Sequence, residues 1–164
     1  MSEYVTKFGS LEHYEKGTVE VIDDDPKHYA FSNIFEVASN AKPWEKIAVG
    51  KNMQYVLEVI RAEGTSEWRT CSHDEFPTCM DGEVTVELVK LDTALADPAK
   101  DGSVRIDGEP AGRPMGRIVL RRGHMALLPA HSAYRFSAER PSVILLQTIL
   151  GEDTIERWAE ICLS

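Results

Sequence analysis

The apolar residues of this chain recur in short runs, and the clearest of them alternate. In "EVTVELVKLD" (83–92), Val84, Val86 and Leu88 fall on one side and polar side chains on the other, the two-residue period of a half-buried strand. Similar runs are "YAFSNIFEVAS" (29–39), "WEKIAVGKN" (44–52), "MQYVLEVIRAEG" (53–64), "SVRIDG" (103–108), "GRIVLRRG" (116–123), "HMALLPA" (124–130), "AYRFSA" (133–138) and "SVILLQTIL" (142–150). Turn residues interrupt them about every 8–12 positions, which predicts an all-β sandwich or barrel. The segment 91–116, rich in Gly, Pro and Asp, reads as a long loop holding one small strand. The ending "GEDTIERWAEICLS" differs: Ile155, Trp158, Ile161 and Cys162 recur at helical spacing, with acids in the first turn where the helix dipole favours them. It predicts one C-terminal helix packed on the barrel. Residues 1–28 are polar and read as an N-terminal arm, leaving 29–164 for the barrel and its helix. The run Asp23-Asp24-Asp25 reads as a solvated turn.

Composition narrows the class. At 164 residues, 43% hydrophobic and 27% charged, the chain has the size and balance of one folded domain. A net charge of −9 opposes binding to nucleic acid or an anionic membrane surface. Cys71, Cys79 and Cys162 are an odd number without framework spacing, which points to free thiols in a reducing compartment. No basic segment leads into an apolar run at the start, and no apolar run is long enough to span a bilayer. A cytoplasmic protein is the expectation.

The stretch "TCSHDEFPTCMDGEV" (70–84) concentrates possible ligands: Cys71, His73, Asp74, Glu75, Cys79 and Asp81. Glu75 and Gly82 have the Glu-x6-Gly spacing that ends the first cupin motif, and Gly64 stands one position from its opening glycine. In "GHMALLPAHSAYRFSA", Gly123 and Pro129 keep the spacing that begins the second motif. Over about residues 30–150 the chain resembles the cupins, small double-stranded β-helix (jelly-roll) barrels. The resemblance implies an all-β cupin-like barrel with metal ligands at four positions. Here those positions carry Arg69, Cys71, Glu75 and Tyr134, and His131 stands at a motif glycine. An arginine brings a fixed cation and no lone pair, so the usual iron site is expected to be lost. Alternating residues share a strand face, so His73 and Glu75, with His131, form a conceivable replacement set of two histidines and one carboxylate. On the other reading, His73 and Glu75 hydrogen-bond inside the barrel mouth, or His73 faces a partner. Pro77 is expected to end regular strand pairing nearby, and Cys79 to be a small core residue.

The segments "KPWEKIAVGKNMQYVLEVIRAEGTSEWRTCSHDEFPTCMDGEVTVELVKLD" and "GHMALLPAHSAYRF" also resemble the small subunit of the two-component hydroquinone 1,2-dioxygenases. The resemblance implies a heterotetramer in which a larger subunit holds Fe(II) and cleaves the aromatic ring with O2. This chain would then hold no metal and no catalytic residue. His73, His131, Tyr134, Arg135 and Trp158 are the residues expected at a pocket or interface, and the acidic arm and C-terminal helix are the elements expected to meet the partner. Two other readings stay open: a stand-alone metal-dependent cupin dioxygenase or isomerase using His73, Glu75 and His131, and a non-catalytic cupin binding a small molecule.

Overall fold

A computed structural model of the chain describes residues 8–17, 19–24 and 33–161. These form strands β1 (Lys46–Asn52), β2 (Tyr55–Thr65), β3 (Trp68–Cys71), β4 (Phe76–Asp81), β5 (Glu83–Leu91), β6 (Ser103–Ile106), β7 (Gly112–Arg121), β8 (Ser132–Ile149) and β9 (Thr154–Ile155), with helices α1 (Ile34–Asn40) and α2 (Trp158–Ile161). β8 is the spine of a curled sheet and pairs antiparallel with β2, β3, β4 and β5. β7 extends the sheet from β5, while β1 and then β9 extend it from β2.

The two expected strands 133–138 and 142–150 run through as this single 18-residue strand. Pro141 does not break it, because the register with β2 slips between Ala62 and Gly64, opposite the residues between Ala138 and Ser142. No ladder bond is lost at the bulge.

Four expectations give way for local reasons. The run 29–39 reads as a strand in the sequence, but its described part is helix α1. Asn33 caps it, its side-chain oxygen accepting from the Phe35 N–H at 3.0 Å, and Glu36 follows three residues later. Ile34, Val37, Ala38 and Ala41 then line one helical face against the sheet. The run 124–130 forms no strand, making isolated bridges at Glu75↔Leu128 and Thr78↔Met125. Between them Pro77 accepts from the Ala126 N–H but has no N–H to return. Nor does Pro77 end pairing with β8: it lies opposite Leu146 in that ladder, while its carbonyl faces 124–128. At the C-terminus, Ile155 belongs to β9, beside Ile47, and the described part of α2 is one turn, Trp158–Ile161. Cys162 and the end of the expected helix lie outside the described residues, as does Asp25 of the arm.

Two apolar clusters hold the sheet. Inside the barrel, Ile60, Cys79, Val84, Val86, Leu120, Leu128, Phe136, Ile144 and Leu146 pack together. Outside it, α1 covers Ile47, Val59 and Val143, joined by Leu11 from the arm. The described arm residues therefore lie partly on this domain, and the Leu11 N–H donates to Asp81 Oδ2 at 2.8 Å.

Candidate functional site

Three strands lose their apolar character in the same direction. β4 and the residues before it run Cys79, Pro77, Glu75; β8 runs Ile144, Leu146, Thr148; β2 runs Ala62, Ile60, Glu58. The register places these series side by side, with Ile60 opposite Ile144 and Glu58 opposite Leu146. One end of the interior is thus apolar, and the other collects buried polar side chains.

At the polar end, the motif positions meet. Tyr134 donates its hydroxyl to Glu75 Oε2 at 2.5 Å, and Thr148 donates to Glu75 Oε1 at 2.7 Å. Thr148 Oγ1 also lies 3.0 Å from His73 Nε2, and the Cys71 sulfur lies 3.1 Å from His73 Nδ1. The threonine has one proton to give. Spent on the carboxylate, it leaves Oγ1 to accept from Nε2–H, which assigns the Nε2 tautomer. The Ile149 N–H approaches the same nitrogen at 3.3 Å and favours the opposite tautomer, but the short contact to a carboxylate is the stronger of the two. Glu75, Tyr134, Thr148 and Cys71 are all buried.

A second group adjoins the first. Lys46 pairs with Glu58 at 3.1 Å, at side-chain exposures of 6% and 0%, and donates to Ser103 Oγ at 3.0 Å. Arg69 donates to the same oxygen at 2.9 Å and pairs with Asp153. Thr154 donates to the other Glu58 oxygen at 2.6 Å. The strand pattern carries a signal for this pair: Glu58 shares its face with Val56, Ile60 and Ala62. Thr148, inside the apolar run "SVILLQTIL", gives a weaker one.

The His131 backbone N–H donates to the Cys71 carbonyl at 2.8 Å, but its side chain is exposed and is not grouped with the ligand atoms of Cys71, His73 and Glu75. Its φ of 60° keeps the left-handed conformation that a glycine would supply at that motif position. Arg135 points outwards over the Trp68 ring, 4.4 Å from its centroid, and pairs with Glu87. Trp158 is half-buried and donates to Glu156 at 3.2 Å. Arg121 and Arg122 pair with Glu83 and Asp81. Cys79 is a buried core residue.

Cupin barrels commonly hold a metal, and Cys71, His73 and Glu75 each offer a ligand atom within 4.8 Å of the others. These donors are already engaged with other groups of the chain. Both Glu75 oxygens already accept hydroxyl protons. Burial, then the negative charge of Glu75, pushes the Cys71 thiol up to about 12. Burial and Glu75 likewise push the Tyr134 phenol well above its ordinary value. Lys46 and Arg69 bring two fixed positive charges to the same end.

The architecture defines the class: this is a cupin β-barrel. The chain belongs to the hydroquinone 1,2-dioxygenase family. It is 55% identical to a chain of hydroquinone 1,2-dioxygenase PnpCD, solved with Cd2+ and 4-hydroxybenzonitrile, over 99% of this chain and 98% of that one, with a TM-score of 0.93. It is 57% identical to a chain of the hydroquinone 1,2-dioxygenase of Sphingomonas sp. TTNP3, solved with 4-hydroxybenzoate, over 99% of each, with a TM-score of 0.94. A different PnpCD chain, from the complex with Fe3+, shares the fold at a TM-score of 0.62 and 13% identity, and the match covers 82% of this chain but 37% of that one. No protein-family model and no curated protein matches the sequence. Among the described residues, no helix is long and apolar enough to cross a membrane.

Proposed function

We propose that this chain is the small, metal-free subunit of a two-component hydroquinone 1,2-dioxygenase, with the catalytic Fe(II) held by a larger partner chain in a cytoplasmic heterotetramer. The observation that carries the reading is the 55–57% identity over nearly the whole length to chains of two such enzymes. The hydrogen-bonded motif positions support it. Where an iron-holding cupin presents free lone pairs, this barrel joins Tyr134, Glu75, Thr148 and His73 to one another. The barrel stabilises the assembly and holds its partner chain in place. The larger chain binds hydroquinone and O2 and opens the ring to a hydroxymuconic semialdehyde.

Oxygen uptake with hydroquinone, measured on each chain alone and on the co-expressed pair, tests this. Full turnover is expected from the Fe(II)-loaded pair. Comparable turnover by this chain alone overturns the proposal and favours a stand-alone metal enzyme, for which Cys71, His73 and Glu75, rather than His73, Glu75 and His131, lie close enough together to offer the ligands.

A further inference from the structure

The outer face of the sheet is apolar from Tyr55 to Val59 on β2, before Arg61 and Glu63, yet α1 covers only part of this stretch. Val59 on β2 lies opposite Leu145 on β8, which lies opposite Thr78 on β4, and α1 packs over this row through Val37, Ala38 and Ala41. One row further along, Leu57, Gln147 and Phe76 stand opposite one another in the same way. The bridges Glu75↔Leu128 and Thr78↔Met125 put Leu127 beside Phe76. Leu57 is 39% exposed, Phe76 37%, Leu127 45% and Met125 63%; Tyr55 and Met53, at the hairpin end of β2, are 55% and 80% exposed. None of these residues is charged.

Taking about 200 Å² for a large side chain, the six expose roughly 600 Å². That is the top of the range for the largest apolar patch on a typical monomer, about 300–600 Å², and most of the roughly 800 Å² that each partner buries in a stable complex. Methionine and aromatic side chains without charge are the composition of an interface centre.

We propose that this face, centred on Leu57, Phe76 and Leu127, is where the larger dioxygenase chain docks. The inference rests on the two-component reading. A second copy would present the same pleated rows and the same protruding Met53, knob against knob. In the larger chain that shares this fold, the matched region is 37% of the length, so most of that chain lies outside the match and can build a recess.

The test co-expresses this chain with the larger chain and measures the complex by light scattering and its dissociation constant by titration. The variants are Met125→Glu/Leu127→Glu, Met53→Glu at the far end of the face, and the control Val119→Glu on β7, each with its melting temperature recorded. The expected result is a wild-type complex, affinity at least 100-fold weaker for the double variant and weaker for Met53→Glu, and no change for the control. Unchanged affinity in both face variants overturns the docking face while the two-component reading stands. A wild type that binds no larger chain overturns both, and one that instead forms a homodimer dispersed by the same variants reassigns the face to a second copy.

Discussion

The two ends of the barrel interior are built on the same strands and obey opposite rules. At one end Ile60, Val84, Val86, Leu120, Ile144 and Leu146 exclude water by shape alone. At the other, Glu58, Glu75, Thr148, Tyr134 and Lys46 are buried just as deeply, and their stability depends on each group finding its partner. The apolar end tolerates hydrophobic substitutions that preserve volume best. The polar end tolerates none that leaves a partner stranded.

Removing one charge from the polar end has the largest expected effect. Lys46→Met strands Glu58, at 0% exposure, and is expected to cost about 3–5 kcal/mol in urea denaturation. The double variant Lys46→Met/Glu58→Leu should recover most of that loss. Recovery would show that the cost lies in the unpaired acid rather than in the lost lysine packing.

At the apolar end, Leu146→Ala should cost about 2–5 kcal/mol by the same measurement, as a cavity the surrounding strands cannot fill. Tyr134→Phe keeps the ring and deletes one donor, leaving Glu75 Oε2 bare. It is expected to cost about 1–3 kcal/mol. A loss below about 0.5 kcal/mol, the size of an ordinary surface substitution, would mean that the polar end is less tightly coupled than its distances imply.

An effect absent at neutral pH is one of titration. The Cys71 thiol has an ordinary value of 9.0 and is pushed up to about 12 in the folded chain. Between those values the folded state holds a proton that the unfolded state has released. Stability is therefore full below about pH 9 and falls as pH rises towards about 12. Cys71→Ala should flatten that fall in denaturation midpoints measured from about pH 8 to about pH 11. Tyr134, raised for the same reason of burial, keeps part of it.

Much of this architecture is legible in the sequence, because alternation reports burial directly. The strands 46–52, 55–65 and 83–91 follow from it, and the glycine, glutamate and proline spacings place the motif positions at one end of the barrel. The helix at 34–40 is not legible, because "IFEVASN" satisfies both periods and the deciding feature is one side-chain cap at Asn33. Pairings escape for a different reason. Glu58 and Lys46 each look like solvated strand residues until β1 and β2 are placed in register. His131 suggests a ligand by residue type, whereas its backbone conformation is what the position preserves.

The central claim is that this barrel serves an iron enzyme without holding the iron. The most direct test is the iron content of the purified two-chain complex, compared between wild type and a Cys71→Ser/His73→Gln variant of this chain. The account predicts the same iron per complex in both, and ring cleavage retained. Loss of iron from the variant complex, with the assembly still intact, would contradict it.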